Sequence, residues 1–316
     1  MNYIVLDLEW NQCPSGKENM NPSLPFEIIE IGAVKLNSKM EIIDKFSAVI
    51  KPQVYKEIHF KTMEIIHIEP KKLEKAQNFS CIATAFLKWC ESESVFCTWG
   101  PSDLSVLQSN LKYYNLDHLL IGPLIYYDIQ KIFSILYEDR KTRRNLEFAV
   151  DYFSIENKGL FHQAYYDAYY TAKILMEFDK EEVKKHYSID YYKNPKNRRE
   201  EIYIIYESYS KFISKEFASK ESAMKDRKVT STKCYKCNRQ AKKKYYWFSG
   251  NNNIYYSLAL CEEHGLLKGK IKIKKSEDGK FFAVKIIKQI SLEESQIIKA
   301  KKDMGRLKRK SRRNLH

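Results

Sequence analysis

Hydrophobic and polar residues alternate in blocks along the first part of the chain. The apolar, β-branched run Tyr3–Leu6 predicts a short buried strand, and longer runs over 27–36 and 41–50 predict two more. A turn-rich stretch over 11–25 separates the first two strands, and residues 37–39 are predicted as a hairpin turn. The chain therefore opens as a meander of three strands.

From residue 60 onward the spacing of apolar residues becomes mainly helical. The later elements are predicted as a helical region over 60–89, a strand over 95–99, and helices over 102–114, 128–137, 146–152 and 164–178. In the last helix Ala164, Ala168 and Ala172 recur every four residues, which predicts a small-residue face packed close to a sheet. A meander followed by strands alternating with helices predicts an α/β domain over residues 1–185, with helices flanking a mixed sheet.

The pattern changes after residue 185. One apolar stripe at helical spacing predicts an amphipathic helix over 199–220, and a polar linker over 221–233 follows it. The stripe consists of Ile202, Ile205, Tyr206, Tyr209 and Phe212. We therefore predict a helical spacer and linker over 186–230. Residues 231–316 are predicted as a small β-rich module, with hairpins near 249–253 and 276–279 and a basic tail.

Positive charge is concentrated at one end of the chain. Residues 221–316 contain 26 Lys and Arg against 9 Asp and Glu, whereas the first 220 residues contain 29 against 31. Such an asymmetry favours a polyanionic partner, with a merely solvated tail as the alternative. We see neither an apolar run long enough to span a bilayer nor a secretory signal. We therefore expect a cytoplasmic protein with no membrane partner and with seven reduced cysteines.

Several acidic residues occupy positions where they could bind metal. Asp7 and Glu9 are alternate residues at the end of the opening strand, so their carboxylates share one face. Such a pair repels unless a cation lies between the two groups, and hard oxygen ligands suit Mg²⁺ or Mn²⁺. Asp103 starts a helix, and Asp167 lies on a later helix that follows His162. Taken singly, each has a structural alternative: a surface acid pair, a helix cap or a structural histidine.

Taken together, these residues resemble the DEDDh family of 3′–5′ exonucleases in the ribonuclease H-like superfamily. The family's D-x-E motif is matched by Asp7 and Glu9, its central acid by Asp103, and its H-x(4)-D motif by His162 and Asp167. The resemblance covers about residues 1–180. The sequence Trp99-Gly100 before Asp103 is most similar to the branch of histone-mRNA and small-RNA exonucleases and bacterial sporulation-inhibitor relatives. Residues 65–68 depart from the family, which often has a glycine-containing turn there.

The resemblance implies a fold, a reaction and roles for residues. The fold would be ribonuclease H-like, and Asp7, Glu9, Asp103 and Asp167 would hold two Mg²⁺ or Mn²⁺ ions. His162 would be the general base of phosphodiester hydrolysis from a 3′ end. Candidate contacts to the terminal nucleotide are Leu8, Trp10 and Trp99, although for Trp99 a position in the core is favoured over stacking on a base. Single-stranded RNA is favoured over DNA because of the branch; a DNA-directed exonuclease and a non-catalytic nucleic-acid-binding protein remain alternatives.

A second set of candidate ligands lies in the basic region. Cys234 and Cys237 form one C-x(2)-C pair, and Cys261 and His264 form a C-x(2)-H pair after an intervening hairpin. Two such pairs predict one structural Zn²⁺ ion with four protein ligands. A redox-active C-x-x-C motif is the alternative, but it leaves the second pair unexplained.

Basic and aromatic residues are interleaved next to these ligands. Lys242, Lys243, Lys244 and Tyr246 are candidate substrate contacts, because lysines bind phosphates while aromatic rings stack on bases. Some aromatic residues of this run should instead fill the core of the module. The basic segment over 301–313 is predicted to contact phosphates irrespective of sequence, with recruitment of a protein or ribosome as an alternative.

Overall fold

The computed structural model describes residues 1–66, 69–157, 161–250, 253–276 and 278–313, without the side chains of Pro70 and residues 308–313. The chain divides into two compact units, Met1–Tyr192 and Lys193–His316. Within the described ranges, every helix is too short or too polar to cross a bilayer.

The first unit is a mixed α/β structure built on a six-stranded sheet. Its strands are β1 (Asn2–Gln12), β2 (Phe26–Leu36), β3 (Ile42–Val49), β4 (Ser94–Thr98), β5 (Ile125–Asp128) and β6 (Ser188–Ile189). Its helices are α1 (Phe60–Ile65), α2 (Pro70–Lys75), α3 (Phe79–Cys90), α4 (Ser102–Tyr113), α5 (Ile129–Tyr137), α6 (Leu146–Tyr152), α7 (Ala164–Met176) and α8 (Lys180–Lys185). The sheet order is β3-β2-β1-β4-β5-β6, with β1–β4 and β4–β5 parallel and the other pairs antiparallel. The predicted fold class, a mixed sheet flanked by helices, is confirmed.

The central strand β1 is buried on both faces. Tyr3 and Val5 pack into one hydrophobic cluster with residues of α5, α6 and α7, while Ile4 and Leu6 pack into another with residues of α3 and α4. This alternation follows from the two-residue period of a strand. This alternation places β1 between two helical layers. Residues at the carboxyl-terminal end of β1 therefore lie between these layers.

Helix α7 begins in direct contact with strand β2. A Cβ atom at Gly32 would lie 2.0 Å from the backbone carbonyl carbon of Ala164, so only glycine fits at this crossing. Ala164, Ala168 and Ala172 are all fully buried. The predicted small-residue face is therefore confirmed, and it fixes the start of α7 beside β1 and β2.

The second unit is a six-stranded antiparallel sheet with helices on both faces. Its elements are β7 (Ile202–Ile205), β8 (Tyr209–Ile213), α9 (Lys220–Lys225), α10 (Arg227–Thr230), β9 (Lys242–Ser249), β10 (Ile254–Cys261), β11 (Gly265–Lys275), β12 (Phe281–Gln289) and α11 (Leu292–Arg313). The strand order is β7-β8-β12-β11-β10-β9. Ala223 and Val229, from α9 and α10, pack with Ile271 on one face. Ile298 of α11 packs with Leu258 on the other.

The helix predicted over 199–220 is wrong. Residues 202–213 form the β7–β8 hairpin instead, and β8 pairs with β12, where Ile213 lies opposite Val284. The residues are β-branched and aromatic, so once a sheet edge is available they favour a strand. The region predicted as a polar linker contains the two short helices α9 and α10.

Other differences from the predicted elements concern the first unit. Strand β1 continues to Gln12, with a bulge between Glu9 and Trp10, so the Asp7–Glu9 motif lies within the strand rather than at its end. The helical region over 60–89 is divided into α1, α2 and α3, and strand β5 was not predicted. The tips of both hairpins in the second unit, and half of the departing segment 65–68, lie outside the described residues.

Candidate active site and candidate metal centre

Three of the predicted site residues meet at the start of α7. One side-chain ligand atom from each of Glu9, His162 and Asp167 lies within 4.8 Å of the other two. The backbone N–H of His162 donates to Asp167 Oδ2 at 3.2 Å, and within the described residues the buried Oδ1 atom has no hydrogen-bond partner. A buried carboxylate oxygen without a donor is available to ligate a cation.

His162 lies in the turn that leads into α7. Its backbone φ is +61°, a conformation that non-glycine residues adopt rarely and that is concentrated at functional sites. The residue is exposed to solvent while Asp167 is buried. The His162 residue therefore lies on the solvent-exposed side of the acidic cluster.

Asp7 and Asp103 complete the acidic cluster. Burial raises the pKa of Asp7 well above its usual range, and the negative charges of Asp103, Asp167, Glu9 and Glu30 raise it further. Burial also raises the pKa of Asp103 to about 7, although hydrogen bonds from the backbone N–H groups of Asp103 and Leu8 lower it in part. Each acid thus destabilises the charged form of its neighbours, as expected of carboxylates that share one site.

The other two acids are perturbed in the same direction. Burial raises the pKa of Glu9 to about 8, with repulsion from Asp167, Glu30 and Asp103 adding to it. Burial raises the pKa of Asp167 to about 6, and the hydrogen bond from the His162 backbone opposes this shift. The cluster combines oxygen donors with uncompensated negative charge, so the residues present fit hard divalent cations.

Glu30 is a site residue that the motifs did not reveal. It is buried, lies directly opposite Glu9 in the β1–β2 pair, and accepts a hydrogen bond from the Ala164 backbone N–H at 3.2 Å. Burial raises its pKa, whereas this hydrogen bond lowers it. The available signal was an acid within an apolar strand. That signal is not specific, because Glu27 on the same strand instead accepts backbone N–H groups of a neighbouring loop.

The candidate contacts to the terminal nucleotide lie in different environments. Leu8 is buried in a core cluster, so what it offers the site is its backbone N–H to Asp103. Trp10 is half-buried, with its ring 5.8 Å from that of Phe26. Trp99 packs against the core with its ring 6.1 Å from Phe133. Of the three side chains, Leu8 is thus the least accessible to a ligand.

The four predicted zinc ligands come together in the second unit. The Sγ atoms of Cys237 and Cys261 are 3.6 Å apart, and His264 Nδ1 lies 3.7 Å from Cys234 Sγ and 3.6 Å from Cys261 Sγ. Ligands at about 2.3 Å around a tetrahedral ion are separated by similar distances. The donor set therefore fits a Zn²⁺ ion with no open coordination position.

Local structure explains how the two ligand pairs are presented. Cys234 and Cys237 lie in a tight turn before β9, where the Asn238 N–H donates to the Cys234 carbonyl at 2.8 Å. Cys261 ends β10, and His264 lies in the turn that begins β11. Burial raises the pKa of the Cys261 thiol, but hydrogen bonds from His264, from the Glu263 backbone and from Cys237 together lower the pKa to about 6. This thiol is thus easily converted to the thiolate that binds metal.

The basic and aromatic run on β9 is divided between solvent and core. Tyr246 is 74% exposed, and Lys243 Nζ lies 5.2 Å from the centroid of its ring. Lys242 and Lys244 are also exposed. Trp247 instead donates through Nε1 to the Thr230 carbonyl at 2.8 Å and packs into the core. Lys242, Lys244 and Tyr246 are therefore the more accessible members of this run.

Comparison with known proteins assigns the first unit. The exonuclease family model RNase_T matches residues 4–175. A search of curated proteins finds no match. The nuclease domain of 3'hExo, described as a DEDDh family member bound to rAMP, is 18% identical, with a TM-score of 0.50 over 60% of this chain and 96% of that chain. At this identity the likeness concerns the fold.

Two other similar structures match over comparable lengths. A 3'-exonuclease described in 3'-end specific recognition of a histone mRNA stem-loop is 19% identical, with a TM-score of 0.47 over 55% of this chain and 80% of that chain. The Mg²⁺- and Mn²⁺-bound form of S. pombe Pop2p is 18% identical, with a TM-score of 0.43 over 55% of this chain and 81% of that chain.

Proposed function

Because the chain belongs to the RNase_T exonuclease family, whose model matches residues 4–175, we propose that it removes nucleotides from the 3′ end of single-stranded nucleic acid. The observation that carries the proposal is the convergence of Asp7, Glu9, Asp103 and Asp167 beside His162. All five family residues are present, so the cluster has the groups that hydrolysis of a phosphodiester requires.

The four acids would hold two Mg²⁺ or Mn²⁺ ions. Such a pair of ions, when bound, activates the attacking water and stabilises the leaving 3′-oxygen. Support comes from the donor set, which consists of carboxylate oxygens, and from the raised pKa values of these acids. Cations placed among them would offset the repulsion that raises those values.

The protein's own residues orient the reacting groups and move the proton. The Leu8 backbone N–H holds the Asp103 carboxylate, and the His162 backbone N–H holds Asp167. The exposed His162 ring accepts the proton of the attacking water, a role that typically contributes about 10²–10⁴-fold to the rate. We assign Trp10 and Trp99 to contacts with the terminal nucleotide.

We assign RNA as the favoured substrate over DNA. Support comes from the Trp99-Gly100 sequence before Asp103, which resembles the histone-mRNA and small-RNA branch of the family. We further assign one structural Zn²⁺ ion to Cys234, Cys237, Cys261 and His264. Lys242, Lys243, Lys244 and Tyr246 of the same unit are assigned to contacts with the substrate.

Labelled oligonucleotides test the proposal. RNA and DNA of the same sequence, carrying a 5′ label or a 3′ label, are incubated with the full chain and Mg²⁺ or Mn²⁺. A 5′-labelled strand should shorten one nucleotide at a time, while a 3′ label should be released at once as a mononucleotide, faster from RNA. The Asp167→Asn variant serves as the inactive control. Binding without shortening would instead favour a non-catalytic nucleic-acid-binding protein, and equal rates on DNA would remove the RNA preference.

A further inference from the structure

One face of the sheet in the second unit carries a row of lysines. Burial alternates along β11: Leu267, Gly269, Ile271 and Ile273 are buried, whereas Lys268, Lys270, Lys272 and Lys274 between them are half-buried or exposed. The pairing of β11 with β10 and with β12 continues without a register shift. The four lysines therefore share one face and recur about every 6.7 Å, twice the rise per residue of a strand.

More cations and an aromatic ring surround this row. Lys288 on β12 lies directly opposite Lys268. From α11, Lys301 Nζ lies 5.0 Å from the ring centroid of Tyr256, and Lys268 Nζ lies 5.9 Å from the same ring. Strand β11 and helix α11 thus bring lysines together around one tyrosine.

This arrangement concentrates positive charge around Lys268. Burial lowers the pKa of Lys268, and the charges of Lys301, Lys288 and Lys270 lower it further. Glu294 is the acid that opposes this shift, and its carboxylate lies 4.0 Å from Lys288 Nζ. Like charges directly opposite on neighbouring strands are destabilising. A bound polyanion would relieve the repulsion.

The opposite face of the sheet packs into the hydrophobic core of the unit. Ile271 and Ala283 pack there under α9 and α10, and Leu267 packs against the cysteine cluster. The sequence of β11 thus alternates apolar residues that pack under α9 and α10 with lysines on the other face, where Ile298 of α11 packs on Leu258, opposite Lys268. Over the whole unit, residues 193–316 contain 33 Lys and Arg against 13 Asp and Glu, so the charge of the face agrees with that of its surroundings.

We propose that this lysine face, formed by Lys268, Lys270, Lys272, Lys274, Lys288 and Lys301, binds the sugar–phosphate backbone of a single-stranded nucleic acid. The regular spacing of these lysine positions along β11 is comparable to that of successive phosphates in an extended nucleic-acid strand. Tyr256 offers a ring on which a base can stack, and neither contact reads a base identity. Lipid headgroups impose no such linear spacing. The inference extends the proposed nucleic-acid partner to a second surface, and it does not require cleavage.

Binding measurements on the full chain test this face. The Asp167→Asn background, without added Mg²⁺ or Mn²⁺, prevents turnover while leaving zinc in place. Fluorescence anisotropy of labelled U15 and dT15 is recorded at several salt concentrations between about 50 and 200 mM. Lys270→Glu is compared with Lys225→Glu, because Lys225 is an exposed lysine of α9, which packs on the opposite face of the sheet. Lys270→Arg retains the charge, and zinc content together with thermal melting reports the fold of each variant.

We expect Lys270→Glu to raise the Kd for both oligonucleotides about tenfold or more. The slope of log Kd against log salt concentration should also fall, by an amount that corresponds to about one to two released ions. Lys225→Glu should change the Kd less than about twofold, and Lys270→Arg should bind like the parent. Equal effects of the two Glu variants would overturn the proposal. So would an unchanged Kd in Lys270→Glu, whether or not that variant loses binding to phosphatidylserine vesicles. A parent chain that binds through this face and never cleaves would contradict only the exonuclease proposal.

Discussion

The carboxylate of Glu30 accepts a hydrogen bond from the backbone N–H of Ala164, with 3.2 Å between Oε2 and N. This contact joins strand β2 to the first residue of α7, next to the close approach at Gly32. Asp167 lies one turn along the same helix, and His162 lies just before it. The contact therefore sets the position of two proposed catalytic residues relative to Asp7 and Glu9 on β1.

Substitution of Glu30 should affect catalysis by displacing the start of α7, which carries Asp167 and follows His162. We expect Glu30→Ala to lower kcat about tenfold or more with little change in KM, because the start of α7 loses its anchor. Glu30→Gln keeps an acceptor oxygen and should restore most of kcat. Because it also removes a negative charge that raises the pKa of Glu9, the acidic limb of the pH profile should move to lower pH. Steady-state kinetics across pH measure both effects, and a Gln variant as impaired as the Ala variant would argue against positioning.

Substitution of Gly32 tests the close packing of β2 against α7, on which the position of Asp167 and His162 depends. Gly32→Ala places a Cβ atom 2.0 Å from the backbone of Ala164, so β2 and α7 must separate. We expect a loss of about 2–3 kcal/mol or more in the free energy of unfolding, measured by urea denaturation. Ser47→Ala is the matched control, since Ser47 is an exposed residue paired with Gly32 on β3. Similar losses in both variants would show that the close approach is not the cause.

Most of the fold and of the candidate site could be predicted from the sequence, but Glu30 and the β7–β8 hairpin could not. The acids and His162 could be found because each belongs to a motif that keeps its order along the chain. Glu30 could not, since an acid within an apolar strand has several possible roles, as Glu27 illustrates. Residues 202–213 have apolar spacing that suits a helix, and what makes them strands is pairing with β12, which lies about 70 residues later in the chain. Such long-range pairing is invisible in a local pattern.

His162 is the proposed general base, so its removal should affect turnover rather than binding. We expect His162→Ala to reduce kcat by about 10²–10⁴-fold and to leave the Kd for a single-stranded oligonucleotide within about twofold. His118→Ala is a suitable control, because His118 is exposed and lies in a short turn after α4. Single-turnover kinetics and anisotropy provide the two measurements. Unchanged turnover in His162→Ala would exclude the assigned role.

The acidic cluster also predicts how stability depends on pH. The folded-state pKa values of Asp167, Asp103 and Glu9 are raised to about 6, 7 and 8, above the 3.8 and 4.5 typical of free Asp and Glu. The folded chain thus binds more protons than the unfolded chain within this window. The contribution of the protonated cluster to the free energy of unfolding is therefore present below about pH 4 and is lost as pH rises towards 8. Without divalent ions, the first unit should melt at a lower temperature at pH 8 than at pH 5.5.

Divalent ions should reverse that loss, because they bind the deprotonated carboxylates and compete with protons. Melting followed by circular dichroism at both pH values, with and without Mn²⁺, measures the effect. Asp7→Asn removes one of the interacting charges and should reduce the pH dependence. A first unit equally stable at pH 5.5 and 8 without divalent ions would contradict the proposed mutual repulsion.

The zinc centre should affect the second unit alone. We expect Cys261→Ser to abolish binding of one Zn²⁺ per chain and to destabilise residues 193–316, because a structural zinc site contributes folding free energy directly. Cys81→Ser is the matched control, since Cys81 is exposed on α3 and lies outside both candidate metal sites. Zinc content by mass spectrometry and hydrogen exchange of the two units measure the effect. Cleavage of short oligonucleotides should persist in Cys261→Ser, because the acids and His162 belong to the first unit. If zinc content is unchanged, or if protection is lost first from residues 1–192, the assignment of these ligands is wrong.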